Sequence, residues 1–336
     1  MQDGINMGTT PDDIVLNCED GIRLVGQRYR NFDPSQEPSS NEGQAGPNII
    51  RILGWHGWLD NCRSFGRLGP SLLTKLSSAK DAPHVDLVVL DFPGHGKSSH
   101  KSLDGASTIL MDLVYYVHDA IHQLQWHNEK DDDYYVPPVL IGHSMGGAIS
   151  LLYASAFPTS NLILLDSLGP HTKKAGDVVK GFQRHVQQRL KGKPPSSIYP
   201  SLENAITTRC ATAKAFPGNQ YISKETATEL VVWASSILAD GKLQFHHDQR
   251  VKWTSIVSLT DEQVHQFYQD VASSNTKTCL LLAKDGMPFP QAAIAKVKEL
   301  LQPTICETLP GSHHFHADPD TSQGVVDQIA AFLLHV

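Results

Sequence analysis

The sequence predicts an α/β fold whose strands run mostly parallel. Two observations carry this. From residue 49 to 166, short apolar runs alternate with segments of helical spacing, the pattern of parallel strands joined by right-handed crossovers. The run Val139-Leu140-Ile141 passes through Gly142-His143-Ser144-Met145-Gly146 directly into a helix-like segment. A strand-to-helix turn that tight forces its apex residue into strained backbone geometry, and glycines on either side let strand and helix approach. At 336 residues and 40% apolar content the chain can bury one large core, with room for an inserted subdomain.

The elements follow in order. Ile14 to Cys18 and Ile22 to Tyr29 read as strands joined at Asp20-Gly21, a hairpin signal. Residues 31–48 are polar, rich in Pro, Ser, Glu and Gly, and without periodicity. Ile49 to Trp55 is apolar on both faces, as a central parallel strand is. It runs into His56-Gly57-Trp58, where the glycine lets the next N–H turn toward a ligand. A helix over 66–77 and a strand Val85 to Asp91 come next, then a turn-rich loop, Phe92 to Ser98, whose residues shape the loop. Leu110, Leu113, Val117, Ile121 and Leu124 give a helix with one buried face, and Asn128 to Asp133 a charged loop. After the Ser144 turn and its helix, Leu162 to Asp166 is a strand.

The alternation stops there. Residues 169–272 offer helices and no convincing buried strand. One is spaced by Phe182, Val186 and Leu190, one covers 230–238, and one follows the capping-box pattern Thr260-Asp261-Glu262-Gln263. Inserted after a strand, this segment would roof the end of the sheet where Ser144 emerges. The core resumes with the strand Thr278 to Ala283, a helix over 290–301, the strand Thr304 to Leu309, and a final helix over 322–335. The expected organisation is a core of residues 1–168 and 273–336 around a cap of 169–272, with eight core strands in all.

Composition bounds the function. The net charge is −7, from 35 acidic and 28 basic residues, with no basic footprint for nucleic acid. No apolar run is long enough to span a bilayer, and the first residues lack a signal-peptide pattern. Five scattered cysteines, with Cys279 and Cys306 in apolar strands as buried thiols, suit a reducing, cytoplasmic setting or an organelle reached without a cleaved signal.

Gly-x-Ser-x-Gly alone is also what a plain glycine-rich turn offers; the rest of the chain decides. Ser144, His56-Gly57, the loop from Asp91 to Ser98 and a late histidine occur in the order found in α/β-hydrolases, which the chain resembles over nearly its whole length. More narrowly it resembles the serine hydrolase-like proteins, through His56-Gly57-Trp58-Leu59-Asp60-Asn61, Gly142-His143-Ser144-Met145-Gly146-Gly147 and His247-Asp248-Gln249-Arg250-Val251-Lys252-Trp253. The resemblance implies a mostly parallel eight-stranded sheet flanked by helices, with an inserted helical cap. It makes Ser144 the nucleophile and the N–H groups of Met145 and Trp58 the oxyanion donors. Gly311-Ser312-His313, with His316 behind it, makes His313 the base and His314 its nearest competitor; the three histidines together could also suit a metal. The acid follows Ser144 and precedes the base in chain order. Asp285, in the turn after the strand that follows the cap, is the expected acid, although it arrives one or two residues early. Asp166, at the end of the strand after the Ser144 helix, is the alternative placement.

The chemistry so implied is acyl transfer to Ser144 and hydrolysis by water, with no metal or organic cofactor. The expected substrate is a small or medium apolar ester or thioester. Lactone, amide or carbon–carbon hydrolysis on the same triad, and ligand binding without turnover, are the alternatives. Serine at 144 argues against dehalogenase or epoxide-hydrolase chemistry, which uses an aspartate nucleophile.

Overall fold

The computed structural model describes residues 10–33, 49–103, 109–126 and 137–335. Most of the polar segment 31–48, and the charged loop 128–133, lie outside the described residues. Strands β1 (Asp12–Asn17) and β2 (Arg23–Arg30) form an antiparallel hairpin. There follow β3 (Ile49–Trp55), α1 (Leu68–Ser77), β4 (His84–Leu90), α2 (Asp112–Gln123), β5 (Val139–His143), α3 (Met145–Ala156) and β6 (Asn161–Leu165). The inserted segment holds α4 (Ala175–Leu190), β7 (Ile198–Tyr199), α5 (Leu202–Lys214), α6 (Lys224–Trp233), β8 (Ser235–Ile237) and β9 (Leu243–Phe245). The chain ends with α7 (Asp261–Ser273), β10 (Lys277–Asp285), α8 (Gln291–Leu301), β11 (Ile305–Ser312) and α9 (Ser322–His335).

Eight strands make one sheet in the order β1-β2-β4-β3-β5-β6-β10-β11, parallel from β4 onward. Its central strands are buried on both faces, with period two. In β6, Leu162 and Leu164 pack with α2, α3, α7 and α8, while Ile163 and Leu165 pack with α1 and α9. In β10, Leu280 and Leu282 face the first layer, and Cys279 and Leu281 the second. That two-sided burial is why these strands read as continuous apolar runs. From β3 the chain moves outward to β4, then crosses back to lay β5 on β3's other side. The carboxyl ends of β3 and β5 thus flank a topological switch point, where open α/β sheets bind ligands.

Two expectations for the insertion change. It carries a small antiparallel sheet, β7-β9-β8, with strands of two or three residues too short to give a periodic signal. And α7, expected in the cap, packs on α3 and α8, where Val264, Tyr268 and Val271 join the sheet's core. The capping box at its start is formed, with Thr260 N–H donating to Gln263 Oε1 at 3.0 Å.

The insertion is fastened to the sheet by buried polar groups. Asp91, at the end of β4, accepts from Cys62 N (2.6 Å), Lys97 N (2.8 Å) and the Trp233 indole of α6 (2.7 Å). Gly96 makes room for this carboxylate, since a Cβ there would sit 2.0 Å from Asp91 Oδ2. The motif at 247–253 works from the other side. Asp248 is buried between Arg250 Nε (2.9 Å) and its own turn, while Arg250 donates to the carbonyls of Ser102 (2.7 Å) and Lys101 (2.5 Å). Burial would push the Asp248 carboxyl up, but Arg250 holds it below its usual value. Asp91→Ala would strand two buried donors, the Cys62 N–H and the Trp233 indole, each costing about 1–3 kcal/mol; urea unfolding is expected to register a loss of about 2 kcal/mol or more. A loss below about 1 kcal/mol would mean the donors find other acceptors.

Candidate active site

The carboxyl ends of β3, β5, β6 and β11 bring the chemistry together. Ser144 sits between β5 and α3 at φ 52° and ψ −113°, a conformation costly for any residue with a Cβ. Close backbone contacts impose it. A Cβ on Gly142 would lie 2.4 Å from Gly146 carbonyl carbon, and one on Gly146 would lie 2.2 Å from Trp55 O. Ser144 N donates to Leu165 O at 3.0 Å, and the Ser167 hydroxyl donates to Ser144 O at 2.8 Å, so the strained residue is tied to β6 on both sides. Met145 opens α3, so its N–H has no acceptor within the helix.

His313 follows β11 and reaches back across the sheet. Its Nδ1 lies 2.6 Å from Asp166 Oδ2. Asp166 follows β6 with φ 45°, a second strained position. Its fully buried carboxylate also accepts from Ala283 N (3.0 Å) and Met287 N (2.9 Å). This corrects the expectation for Asp285. Asp285 is half-buried at the end of β10, opposite Ser312 in the ladder, and does not hydrogen-bond His313. The reason is steric and electrostatic. The turn after β10 aims two amides at a carboxylate arriving from β6, and a Cβ on Gly286 would fall 2.3 Å from Asp166 Oδ2. The turn is built to receive an acid from the neighbouring strand.

A cavity of about 410 Å³ opens above Ser144 and His313, within the size range of small-molecule sites. Met145, Leu168, Phe216, Val257, Met287 and Phe289 give it an apolar lining, and Asp60, Lys173 and Arg209 also border it. Phe216 of the insertion reaches the cavity, whereas Phe182 is exposed to solvent. Gly57 and Trp58 border it from β3, and the Trp58 indole donates to Val251 O of the insertion at 3.0 Å. His56 beneath them is buried and neutral: Nδ1 donates to Gly57 O (2.7 Å) while Nε2 accepts from Phe92 N (3.0 Å), and burial lowers its pKa. It therefore fixes the turn that presents the Trp58 amide.

The other late histidines surround a buried carboxylate that sequence reasoning passed over. Asp60 Oδ2 lies 3.0 Å from His314 Nε2, and Asp60 Oδ1 is 2.5 Å from Arg209 of α5. Burial opposes the Asp60 charge, but His314 and Arg209 outweigh it and hold the carboxyl well below its usual range. His143, beside Ser144, donates from Nε2 to His313 O at 2.9 Å, leaving its Nδ1 facing Asp60 Oδ2 at 3.7 Å. The His316 ring lies tilted against His143 with centroids 4.2 Å apart, and burial drives both rings well below the usual histidine range, so both are neutral. Among the described residues no group of three His, Cys, Asp or Glu is arranged to hold a metal. His314 is thus committed to Asp60, while His313 is the histidine joined to Asp166. The one sequence signal for this cluster was the Asp60 of His56-Gly57-Trp58-Leu59-Asp60, a charged residue inside an otherwise apolar turn.

A profile of the alpha/beta hydrolase fold matches residues 49–319, and the chain belongs to that family. It is similar to a probable serine hydrolase from Drosophila melanogaster, 26% identical over 79% of this chain and 76% of that protein. It is also similar to a serine hydrolase-like protein from Danio rerio, 28% identical over 72% and 68%. A solved hypothetical protein from Pseudomonas aeruginosa superposes with a TM-score of 0.75, at 29% identity over 97% of this chain and 99% of that one. Fold and relatives together support hydrolase activity.

Because Asp60 is held below its ordinary value, its contribution to stability is complete above the unfolded carboxyl value of about 3.9 and is lost as pH falls through the lower folded value. Urea midpoints followed from neutral to acid pH should fall more steeply below about pH 4 in the wild type than in Asp60→Asn. Parallel curves would mean that Asp60 is not held as an ion in the folded state.

Proposed function

We propose that this protein is a serine hydrolase that cleaves a small or medium apolar ester or thioester through an acyl-enzyme. The observation that carries the reading is the 2.6 Å contact between His313 and Asp166 beside a cavity shared with Ser144. A carboxylate accepting from Nδ1 fixes the tautomer in which Nε2 carries the lone pair, the form a general base needs. Ser144 Oγ attacks the acyl carbon as His313 Nε2 takes its proton, and that proton then passes to the departing alkoxide or thiolate. Water, deprotonated by the same nitrogen, releases the acid. Asp166 holds the imidazole in orientation and offsets the charge it gains. The N–H groups of Met145 and Trp58 stabilise the oxyanion, each donor being worth about 3 kcal/mol in the transition state. The apolar lining supports an apolar acyl or alcohol portion.

The test is turnover of short and medium 4-nitrophenyl esters and thioesters. Ser144→Ala is expected to abolish it, Asp166→Asn to lower kcat by about 10⁴-fold, and Asp285→Asn to stay close to wild type. A collapse in Asp285→Asn with Asp166→Asn intact would overturn the acid assignment. Absence of turnover together with no labelling of Ser144 by a fluorophosphonate would overturn the hydrolase reading in favour of ligand binding.

A further inference from the structure

Helix α4 presents an apolar stripe to solvent. Val179, Phe182, Val186 and Leu190 follow one another at helical spacing and are 62%, 50%, 38% and 84% exposed. The face that meets the protein is a different one. It holds Gly181 and His185, the only buried residues of the helix. His185 Nδ1 donates to Thr254 O, and Thr254 N donates to Gln188 Oε1, both at 2.8 Å. These bonds tether the helix along one edge to the loop at Thr254, and its apolar stripe lies about a third of a turn away from that edge. An exposed apolar stripe of this size normally marks a docking surface.

Charge identifies the occupant. Between residues 173 and 193 the sequence has seven Lys and Arg residues and one Asp, in a chain of net charge −7. Lys180 meets Asp177 at 3.8 Å and Lys193 meets Asp248 at 3.6 Å, while Lys174, Arg184 and Lys191 are exposed around the helix. An amphipathic helix with aliphatic and aromatic residues on one face and Lys and Arg on the other is suited to lie in a bilayer interface and to favour anionic headgroups. Its position agrees. Lys173, two residues before α4, borders the cavity, and Thr254, which holds the helix, leads directly into the cavity-wall residues Ser255, Val257 and Leu259.

We propose that α4 docks this protein on an anionic lipid surface, with the cavity wall beside the contact. The docking holds whether or not the site turns over an ester; where it does, apolar substrates dissolved in the bilayer are delivered next to the cavity.

Flotation of the full chain with phosphatidylcholine vesicles, with and without phosphatidylserine, tests this. Wild type is expected to float with the phosphatidylserine vesicles at low salt and to be released at high salt. Val179→Glu/Leu190→Glu, which alters only exposed positions, is expected to reduce the bound fraction at least about tenfold, with an unchanged thermal midpoint. Arg184→Glu/Lys191→Glu should lose binding to the anionic vesicles in the same assay. Wild type failing to float with either vesicle would overturn the proposal, as would Val179→Glu/Leu190→Glu floating as well as wild type. Light scattering distinguishes the remaining occupant: a wild-type dimer that this variant makes monomeric, with no flotation, would assign the stripe to a second copy of the chain.

Discussion

The arrangement depends on one packing constraint, the contact of α3's first turn with the ends of β3 and β5. Gly146 lies against Trp55 O so closely that no side chain fits between them, and Gly142 lies against Gly146 in the same way. Once the helix is that close, the residue between strand and helix has no relaxed conformation available, and Ser144 takes φ 52°. The strain is sustained because β5 is central, buried on both faces and paired to β3 and β6. Met145, next in the chain, opens α3, so its amide has no acceptor within the helix. The strained backbone of Ser144 is thus a by-product of how tightly the sheet and helix are packed.

A second layer of organisation is electrostatic. Three buried aspartates lie along the seam between the sheet and the insertion, and each is matched across it or beside it. Asp91 of the core meets the Trp233 indole, Asp60 of the core meets Arg209, and Asp248 of the insertion orients the Arg250 that grips core carbonyls. Buried ion pairs contribute little net stability, because desolvation offsets most of the attraction, but breaking one costs about 3–5 kcal/mol. Their effect is therefore to penalise misplacement. An insertion held only by apolar contacts could slide; one that must seat the Trp233 indole on Asp91, Arg209 on Asp60 and Arg250 on the carbonyls of Lys101 and Ser102 has one seating. For Asp60 the consequence extends to His313, since His314, its neighbour in the chain, and His143 both lie against the His313 ring.

Much of this was legible in the sequence because it rests on local rules. Apolar runs gave the central strands, and Gly142 and Gly146 around Ser144 gave the turn. The acid was harder. Asp285 and Asp166 are both at strand ends, and what separates them is which one β6 and β10 bring next to His313, a fact of strand neighbourhood. The clue was present, since Asp285 fell out of step with the expected spacing and was followed by Gly286, the residue that leaves space for Asp166 Oδ2. Helix α4 shows a limit of a different kind. Its apolar spacing is that of a core-facing helix, and periodicity reports that a face is apolar without reporting what covers it. The short strands β7, β8 and β9 gave no signal at all.

The position of the carboxylate that meets His313 has a structural consequence of its own. An acid carried on the turn after β10 would depend on that turn alone for its orientation. Asp166 depends on two strands at once: its backbone N donates to Leu281 O of β10, and its carboxylate accepts from the amides of Ala283 and Met287. Its strained φ of 45° is held by this pairing. With His313 as the remaining partner, the carboxylate is saturated on the side facing the protein, and rotation away from the imidazole would leave buried amides unpaired at a cost of about 1–3 kcal/mol each. The histidine is thereby anchored through the middle of the sheet, and the turn after β10 serves two ends, its Met287 amide holding Asp166 while Met287 and Phe289 border the cavity. Orientation of His313 and shaping of the pocket thus share one turn, and sequence change at Gly286 or Met287 bears on both.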